Sequence, residues 1–462
     1  MSQRIVVVSD LHMAPPGPLD SFRAGHALTR LVASLGQGDI PVDRTTMIMN
    51  GDTFDFLQVD DRPAELDGTS VARLIETTLD AIAGTEWGAE LFGALADFIA
   101  RGGQWVVVPG NHDPELHHPG AASLLARALD KSSAGVPAGL RIHSDLQPWR
   151  AQVGELEVVV GHGHRSDSFN DIDPVAWREA MSRDRPAPPL PPGSRLVLDT
   201  VNGFKRAGHR FVDMLKPEMP GVMLLLLYID RSLALKHLPG VAGTAKSALW
   251  RRAMNNGGPA LAPGAAAGPT VGVPPGSVPD LAGDLLVRAL LDSMTEQEQD
   301  MRNYLLGGVE EWIEHGDAGA AAPGSLADHG GIRAWLLRKA LWFFSYEYTF
   351  FDPGALGAID RAVIAEALPH GSGPRVVVAG HTHAARYHAL DGERFYINTG
   401  TWTDLMKLPG RGDDLAAWID DLEATGGDRI QRLSFADITA EGAILRVLGE
   451  AGDDPGPGAT AS

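Results

Sequence analysis

The sequence predicts an α/β fold whose two halves are separated by a long, mostly helical insertion. Short β-branched runs alternate with amphipathic stretches near both ends of the chain, which is the patterning of strands and helices packed in layers. A proline- and glycine-rich middle breaks that alternation. Turns carrying Asp, His and Asn directly follow the apolar runs, so the predicted strands lead into chemistry.

Each element follows in order. Strands are expected at Arg4 to Ser9, Thr46 to Asn50, Gln104 to Val108 and Leu156 to Val160. Amphipathic helices are expected between them, over Ala24 to Leu35 and Ser70 to Ile99. Arg183 to Pro192 is proline-rich, and Asn255 to Pro279 is dominated by Gly, Pro and Ala, compositions that favour extended chain over packed structure. Helical patterns surround them at Leu196 to Met214, Met223 to Lys236, Leu281 to Leu306 and Ile332 to Phe344. The α/β pattern resumes with a helix at Ala355 to Leu368 and strands at Arg375 to Ala379, Arg394 to Asn398, Arg432 to Asp437 and Ala443 to Leu448. The expected organisation is a core over residues 1–180, an insertion over 181–352, a second core part over 353–450 and a disordered tail over 451–462.

Composition bounds the chemistry. With 462 residues and 44% hydrophobic content, the chain can bury a substantial core. A formal charge of -20 opposes bulk attraction to nucleic acid. The absence of cysteine removes disulfides, a thiol nucleophile and thiolate metal sites, leaving carboxylates, imidazoles and amides as ligands. The N-terminal apolar run, Ile5 to Val8, is too short for a signal peptide, and the longest run, Val222 to Ile229, falls far below the roughly 20 residues that span a bilayer. The expectation is a cytoplasmic protein.

Five motifs share one layout, an apolar strand followed by a turn with ligand-type side chains. They are Ser9-Asp10-Leu11-His12, Gly51-Asp52, Gly110-Asn111-His112-Asp113, Gly161-His162-Gly163-His164 and Gly380-His381-Thr382-His383. The carboxyl ends of strands in an open α/β sheet converge on one crevice. The preceding glycines are expected to turn the backbone sharply so that the next side chain reaches inward. A lone Asp-X-His or Gly-Asp is a common turn, and Gly-Asn-His-Asp and Gly-His-X-His are more specific; together they gather six of the sixteen histidines, which five unrelated turns would not produce.

The ordered set DLH, GD, GNHD, GHGH, GHTH resembles the calcineurin-like metallophosphoesterase superfamily. The resemblance implies a four-layer α-β-β-α sandwich with two sheets face to face. It also implies two metal ions: one held by Asp10, His12 and His383, the other by Asn111, His162 and His381, with Asp52 bridging them. In similar motifs the first histidine of the HGH stretch is the ligand, which leaves His164 in a supporting place behind the ions. Mixed oxygen and imidazole donors suit Mn²⁺ first, and Fe²⁺ or Zn²⁺ as well. Two such ions about 4 Å apart can clamp a phosphoryl group and acidify a bridging water for in-line attack. His112 is then the expected general acid for the leaving oxygen, with Asp113 expected to orient its imidazole.

Gly51 to Phe56, His162 to Asp171 and Tyr396 to Trp402 resemble the branch containing UDP-2,3-diacylglucosamine pyrophosphatases, enzymes with a helical insertion that handles acyl chains and a peripheral membrane location. Two departures limit the transfer. Those enzymes typically carry Arg where this chain has His112, and their insertion is much shorter. The reading is therefore hydrolysis of a phosphodiester or pyrophosphate, on a small-molecule, nucleotide or lipid-linked substrate. A phosphomonoesterase or protein phosphatase is the alternative, and a non-catalytic scaffold a third.

Three features stay open at this level. Gly203 to Arg252 holds nine Lys or Arg against three acids, a local net of +6 beside the apolar Val222 to Ile229 stretch. That suits either an anionic membrane surface or a buried helix flanked by solvated charges. The cluster Trp335, Leu336, Leu337, Leu341, Trp342, Phe343 and Phe344 reads as core or as lipid pocket. Arg165 and Arg386 could each grip a phosphate or make a structural ion pair, and Asp167, Asn170 and Asp171 follow the fourth motif closely enough to support it.

Overall fold

The computed structural model describes residues 3–216 and 350–449, apart from short gaps at 38, 133–134, 369–375, 392 and 410–413, together with the isolated positions 225, 229 and 233. The helices expected at Met223 to Lys236, Leu281 to Leu306 and Ile332 to Phe344, the linker at Asn255 to Pro279, the aromatic cluster from Trp335 and the tail lie outside the described residues, the three isolated positions apart.

Two sheets dominate. The first contains β1 (Arg4–Val8), β2 (Thr45–Asn50), β3 (Gln104–Val108), β4 (Leu140–Ile142), β12 (Ser434–Thr439) and β13 (Gly442–Val447), in the order β13-β12-β1-β2-β3-β4. β1 to β4 run parallel, and β12 pairs antiparallel with β1. The second contains β5 (Trp149–Val153), β6 (Leu156–Val160), β8 (Val376–Ala379), β9 (Ala385–Ala389) and β10 (Phe395–Thr399), in the order β5-β6-β8-β10-β9. β7 (Leu215–Lys216) and β11 (Met406–Lys407) form a separate parallel pair.

The valine triplets mark strands buried on both faces, which need apolar residues throughout instead of alternation. Ile5, Val7, Ile48 and Val106 of the first sheet pack with Val158, Val160, Val376, Val378 and Ile397 of the second in one cluster. The alternate residues Val6, Val8, Met47, Met49, Trp105 and Val107 face outward. They meet α1 (Gly25–Ser34), α2 (Gly68–Ala83), α3 (Glu86–Ala100), α4 (Ala121–Leu129) and α5 (Pro174–Ser182). On the far side, Val159, Val377, Ala379 and Tyr396 carry the later helix Ala358–Ala367. The arrangement is the expected four-layer α-β-β-α sandwich.

The stretch Ser70 to Ile99 forms two helices, not one. Asp67 caps α2 through the Ser70 amide, and Thr85 restarts the chain by accepting from Gly88 as the cap of α3. Leu196 to Met214 is also subdivided: α6 (Pro192–Leu196) runs through a π-helical turn (Val197–Val201) into α7 (Asn202–Arg206), followed by a 3₁₀ turn at Arg210–Asp213. Short or edge elements such as β4, β5 and β9 carry weak patterns, and sequence periodicity missed them.

Residues 192–213 lie directly on the sandwich. Ser194 Oγ donates to the Asn111 carbonyl, and Asn202 Nδ2 to the Leu57 carbonyl at 2.8 Å. Lys205, 1% exposed, is buried with its ammonium on the Leu19 carbonyl, Ser21, Gln58 and the Asp213 carboxylate. Lys205 therefore belongs to no lipid-facing surface. Arg206 pairs with Asp60, and Arg210 donates to the Asp20 carbonyl. The basic residues of the Gly203 to Arg252 run from Arg231 onward lie outside the described residues.

Candidate metal centre

The five turns converge at the carboxyl ends of β1, β2, β3, β6 and β8. Asp10 and His12 follow β1, Asp52 follows β2, Asn111 and His112 follow β3, His162 follows β6, and His381 and His383 follow β8. Backbone hydrogen bonds staple the first two turns together: Asp10 N–H donates to the Gly51 carbonyl at 3.1 Å and His12 N–H to the Asp52 carbonyl at 2.8 Å. Trp402 N–H and Thr401 Oγ1 then donate to the Asp10 carbonyl, which fixes that turn from the second sheet.

Backbone strain concentrates here. Six non-glycine residues among those described have positive φ, and five are Asp10, His12, Asp52, His381 and His383. Such conformations cost on the order of 1–3 kcal/mol each and persist where the surroundings enforce them. The glycines serve differently from the sequence expectation. Among the glycines that directly precede an expected ligand, only Gly51 has a left-handed backbone, φ +79°; Gly110, Gly161 and Gly380 do not turn left-handed. A Cβ at Gly110 would lie 2.2 Å from Asp52 Oδ1, and one at Gly380 2.5 Å from Asp10 Oδ2. Gly110 and Gly380 clear space for a ligand carboxylate, while the ligands themselves carry the turn.

The ligand atoms gather in two groups. Asp10, His12 and His383 offer donor atoms within 4.8 Å of one another, and so do Asp52, His162 and His381. Asp52 joins the groups, its Oδ2 lying 3.2 Å from His162 Nε2 and 3.9 Å from His12 Nε2. Its other oxygen accepts the His112 amide at 2.8 Å. Asp10 likewise accepts the His381 amide and lies 3.3 Å from His383 Nε2.

The donor set fits divalent cations. His162 Nδ1 donates to the Asn50 carbonyl at 2.8 Å, so Nε2 is the nitrogen left to ligate, and it is buried without a hydrogen bond. Asn111 Oδ1 is also buried and unbonded. His12 Nδ1 is committed to Asp55 at 3.0 Å, and its Nε2 faces His383 Nε2 at 3.1 Å. Two imidazole nitrogens and several anionic oxygens aimed at common points are the coordination chemistry of Mn²⁺, Fe²⁺ or Zn²⁺.

The charges are strongly coupled. Burial alone would raise the Asp10 carboxyl, but the His162 and His383 charges bring it down to about 2. Burial would likewise raise Asp52, which His162, His112 and His12 instead hold well below the ordinary carboxylate range. Burial disfavours the charged His162, yet Asp52 and Asp10 carry it up to about 9. A bound cation must displace that proton, so metal affinity rises with pH.

His112 also stands at the centre, but its carboxylate partner is not the expected one. Its Nδ1 bonds Asp55 Oδ2 at 3.0 Å, the same oxygen that holds His12. Burial opposes its charge, and Asp55 with Asp52 overcomes this, raising His112 to about 10. Asp113 is turned away from the imidazole. It accepts the amides of Thr53 and Phe54 through one oxygen and that of Gly110 at 2.5 Å through the other. Sequence adjacency suggested Asp113; three backbone donors claim it, and the residue three places after Asp52 takes its role. The Gly51-Asp52-Thr53-Phe54-Asp55 stretch contained that signal.

Five further candidates separate. Asp167 Oδ2 bonds His381 Nε2 at 3.0 Å and accepts from Asn170 Nδ2 at 2.7 Å, so both support the centre. His164 joins neither ligand group; its ring lies 5.4 Å from that of His162 and lines a separate pocket with His117, His143 and Arg165. Arg165 donates to the Leu146 carbonyl there and does not line the metal cleft. Arg386, 4% exposed, is spent on the Phe350 and Asp352 carbonyls. It is held against that loop and does not line the metal cleft.

The cleft above the ligands has two unlike walls. His12, Asp52, Asn111, His112, His381 and His383 form one; Leu196, Val197, Val201, Phe204 and Val212 supply much of the other.

Residues 3–217 match the family model of the calcineurin-like phosphoesterases. This phosphoesterase domain stops short of His381 and His383, which the sandwich returns to the site from after β8. No curated protein matches the chain. The phosphoesterase domain implies a metal-dependent phosphoric ester hydrolase, and the clustered Asp and His side chains are its candidate metal-binding residues. No described helix is long and apolar enough to cross a membrane.

Proposed function

We propose that this enzyme hydrolyses a phosphodiester or pyrophosphate in which one substituent is an apolar organic group, as in a lipid-linked substrate. The observation that carries the reading is the apolar wall facing the ligands: Leu196, Val197, Val201, Phe204 and Val212 give an inorganic phosphate nothing to bind, but suit a hydrocarbon moiety. Asp10, His12, His383, Asn111, His162, His381 and Asp52 would hold the two ions, with Mn²⁺ the first choice. Bound ions would supply charge stabilisation for the phosphoryl group and an acidified water.

The chain's own residues then manage the leaving group. Asp55 holds His112 by Nδ1, so the Nε2–H is the proton available to the cleft. As the phosphorus–oxygen bond breaks, that proton passes to the departing oxygen. His112 suits a leaving group too basic to depart as an anion.

A Mn²⁺-supplemented panel tests the reading. It compares bis-p-nitrophenyl phosphate with p-nitrophenyl phosphate, then UDP-sugars, cyclic nucleotides and lipid phosphates. Diester or pyrophosphate cleavage favouring apolar substituents is expected. Preference for the monoester, or for phosphopeptides, would overturn it in favour of a phosphomonoesterase or protein phosphatase.

A further inference from the structure

We propose that Asp167 is the positioning carboxylate of the second ion site, and that it links that site to the helical wall of the cleft. The inference rests on the two-ion reading of the centre and is independent of which ester is cleaved.

A histidine ligand needs one nitrogen bare and the other held, and a carboxylate behind the ring both fixes the tautomer and makes the ligand more basic. The four ligand histidines differ in how this is met. His12 has Asp55 behind it, and His162 has the Asn50 carbonyl. His381 has Asp167, whose Oδ2 lies 3.0 Å from Nε2. That bond commits Nε2 as the donor and leaves Nδ1 as the ligating nitrogen. Asp167 is itself held in place: its Oδ1 accepts the Phe169 amide at 2.9 Å, and Asn170 Nδ2 donates to Oδ2 at 2.7 Å.

The support continues into the wall. Gly193, in α6, donates its amide to the Phe169 carbonyl at 2.9 Å. A Cβ at Gly193 would meet Asn170 Oδ1 at 2.0 Å and Phe169 Cδ1 at 3.0 Å. The helix can therefore seat against this turn only as glycine. The path runs from His381 through Asp167 and Asn170 to Gly193, and so to the residues that face the substrate.

Metal titration of apoprotein by calorimetry and by manganese paramagnetic resonance tests the proposal without substrate. Asp167→Ala should weaken one ion by about 10–100-fold and leave the other unchanged. The exchange-coupled signal of a manganese pair should give way to that of an isolated ion at concentrations that fill the native pair. Asp167→Asn, which still accepts from Nε2 but carries no charge, should fall between. Gly193→Ala, which removes no side chain bonded to a ligand histidine, should reproduce the selective loss in milder form. Two ions bound with native affinity in folded Asp167→Ala would overturn the proposal, and so would equal weakening of both. Should Asp167→Ala fail to fold, a native coupled signal in Asp167→Asn and Gly193→Ala together would overturn it. Wild-type protein that binds two ions but cleaves no ester would sink the proposed function and leave this test standing.

Discussion

The two sheets contribute to one centre by different means. The first supplies both candidate ligand carboxylates, Asp10 and Asp52, with His12, Asn111 and His112; the second supplies only histidines, His162, His381 and His383. In the first, neighbouring turns are stapled backbone to backbone, from Asp10 and His12 to Gly51 and Asp52, and on through Asp55 to Met13 and Phe56 to His112. In the second, His162 and His381 depend on acceptors far away in sequence, Asn50 and Asp167. A carboxylate ligand needs only to be aimed. A histidine must also be told which nitrogen to present, and that instruction comes from a partner.

The largest expected effect separates the halves directly. Among the described residues, Asp52→Ala removes the one carboxylate paired with imidazole side chains of both groups. It should abolish binding of both ions and lower activity by well over the roughly 100-fold typical of an outer partner. His162→Ala should remove one ion and spare the other. Elemental analysis of the purified variants would decide, and retention of a full metal pair by Asp52→Ala would break the assignment of a bridge.

His112→Ala comes next. Both ions should remain, while turnover falls by about 10²–10⁴-fold for an alkyl leaving group and far less for p-nitrophenolate. Equal losses for both leaving groups would show that His112 acts otherwise than as an acid. Asp55→Asn should impair both halves of its double contact, slowing turnover by about 10-fold or more and weakening the ion held by His12. Asp113→Asn should instead lower stability by about 1–3 kcal/mol, because three backbone amides lose part of their acceptor. Thermal melts beside leaving-group dependence separate the two carboxylates.

These contrasts mark what the sequence could disclose. All seven expected ligands arrive at one place because each sits immediately after a buried valine-rich or methionine-rich strand, a local pattern that also places the strand ends. The α/β alternation was legible for the same reason, while the four-layer sandwich followed from the resemblance that the five motifs carry. The Asp55–His112 contact was not, since choosing between Asp55 and Asp113 requires knowing which one the backbone of Thr53, Phe54 and Gly110 had already engaged. Arg386 escaped for a similar reason: nothing near it in sequence reveals that Phe350 and Asp352 occupy its guanidinium. The cleft wall was hidden in a stretch whose helical pattern spans a π turn, so its inward face could not be read from regular α spacing.

The smallest effect concerns the rear of the centre, where the halves meet again. His117, from the chain after β3, shares a pocket with His164, from the chain after β6. Burial lowers the His117 pKa, and the Arg178 charge adds to this, to about 4. Between that value and the ordinary imidazole pKa near 6.5 the unfolded chain binds the extra proton and the folded one does not. Stability is therefore full above about pH 6.5 and declines as pH falls toward 4, by at most about 3 kcal/mol for this group. His112 and His162, whose folded pKa values are raised, act in the opposite sense in metal-free protein, stabilising it at acid pH. The difference between wild type and His117→Phe isolates the group, since the other histidines cancel. Measured on metal-free protein, the variant should lose less stability than wild type between pH 7 and 4.5, with ion binding and turnover at neutral pH unchanged. Parallel pH profiles for the two would mean that the pocket admits the His117 proton without opening the fold.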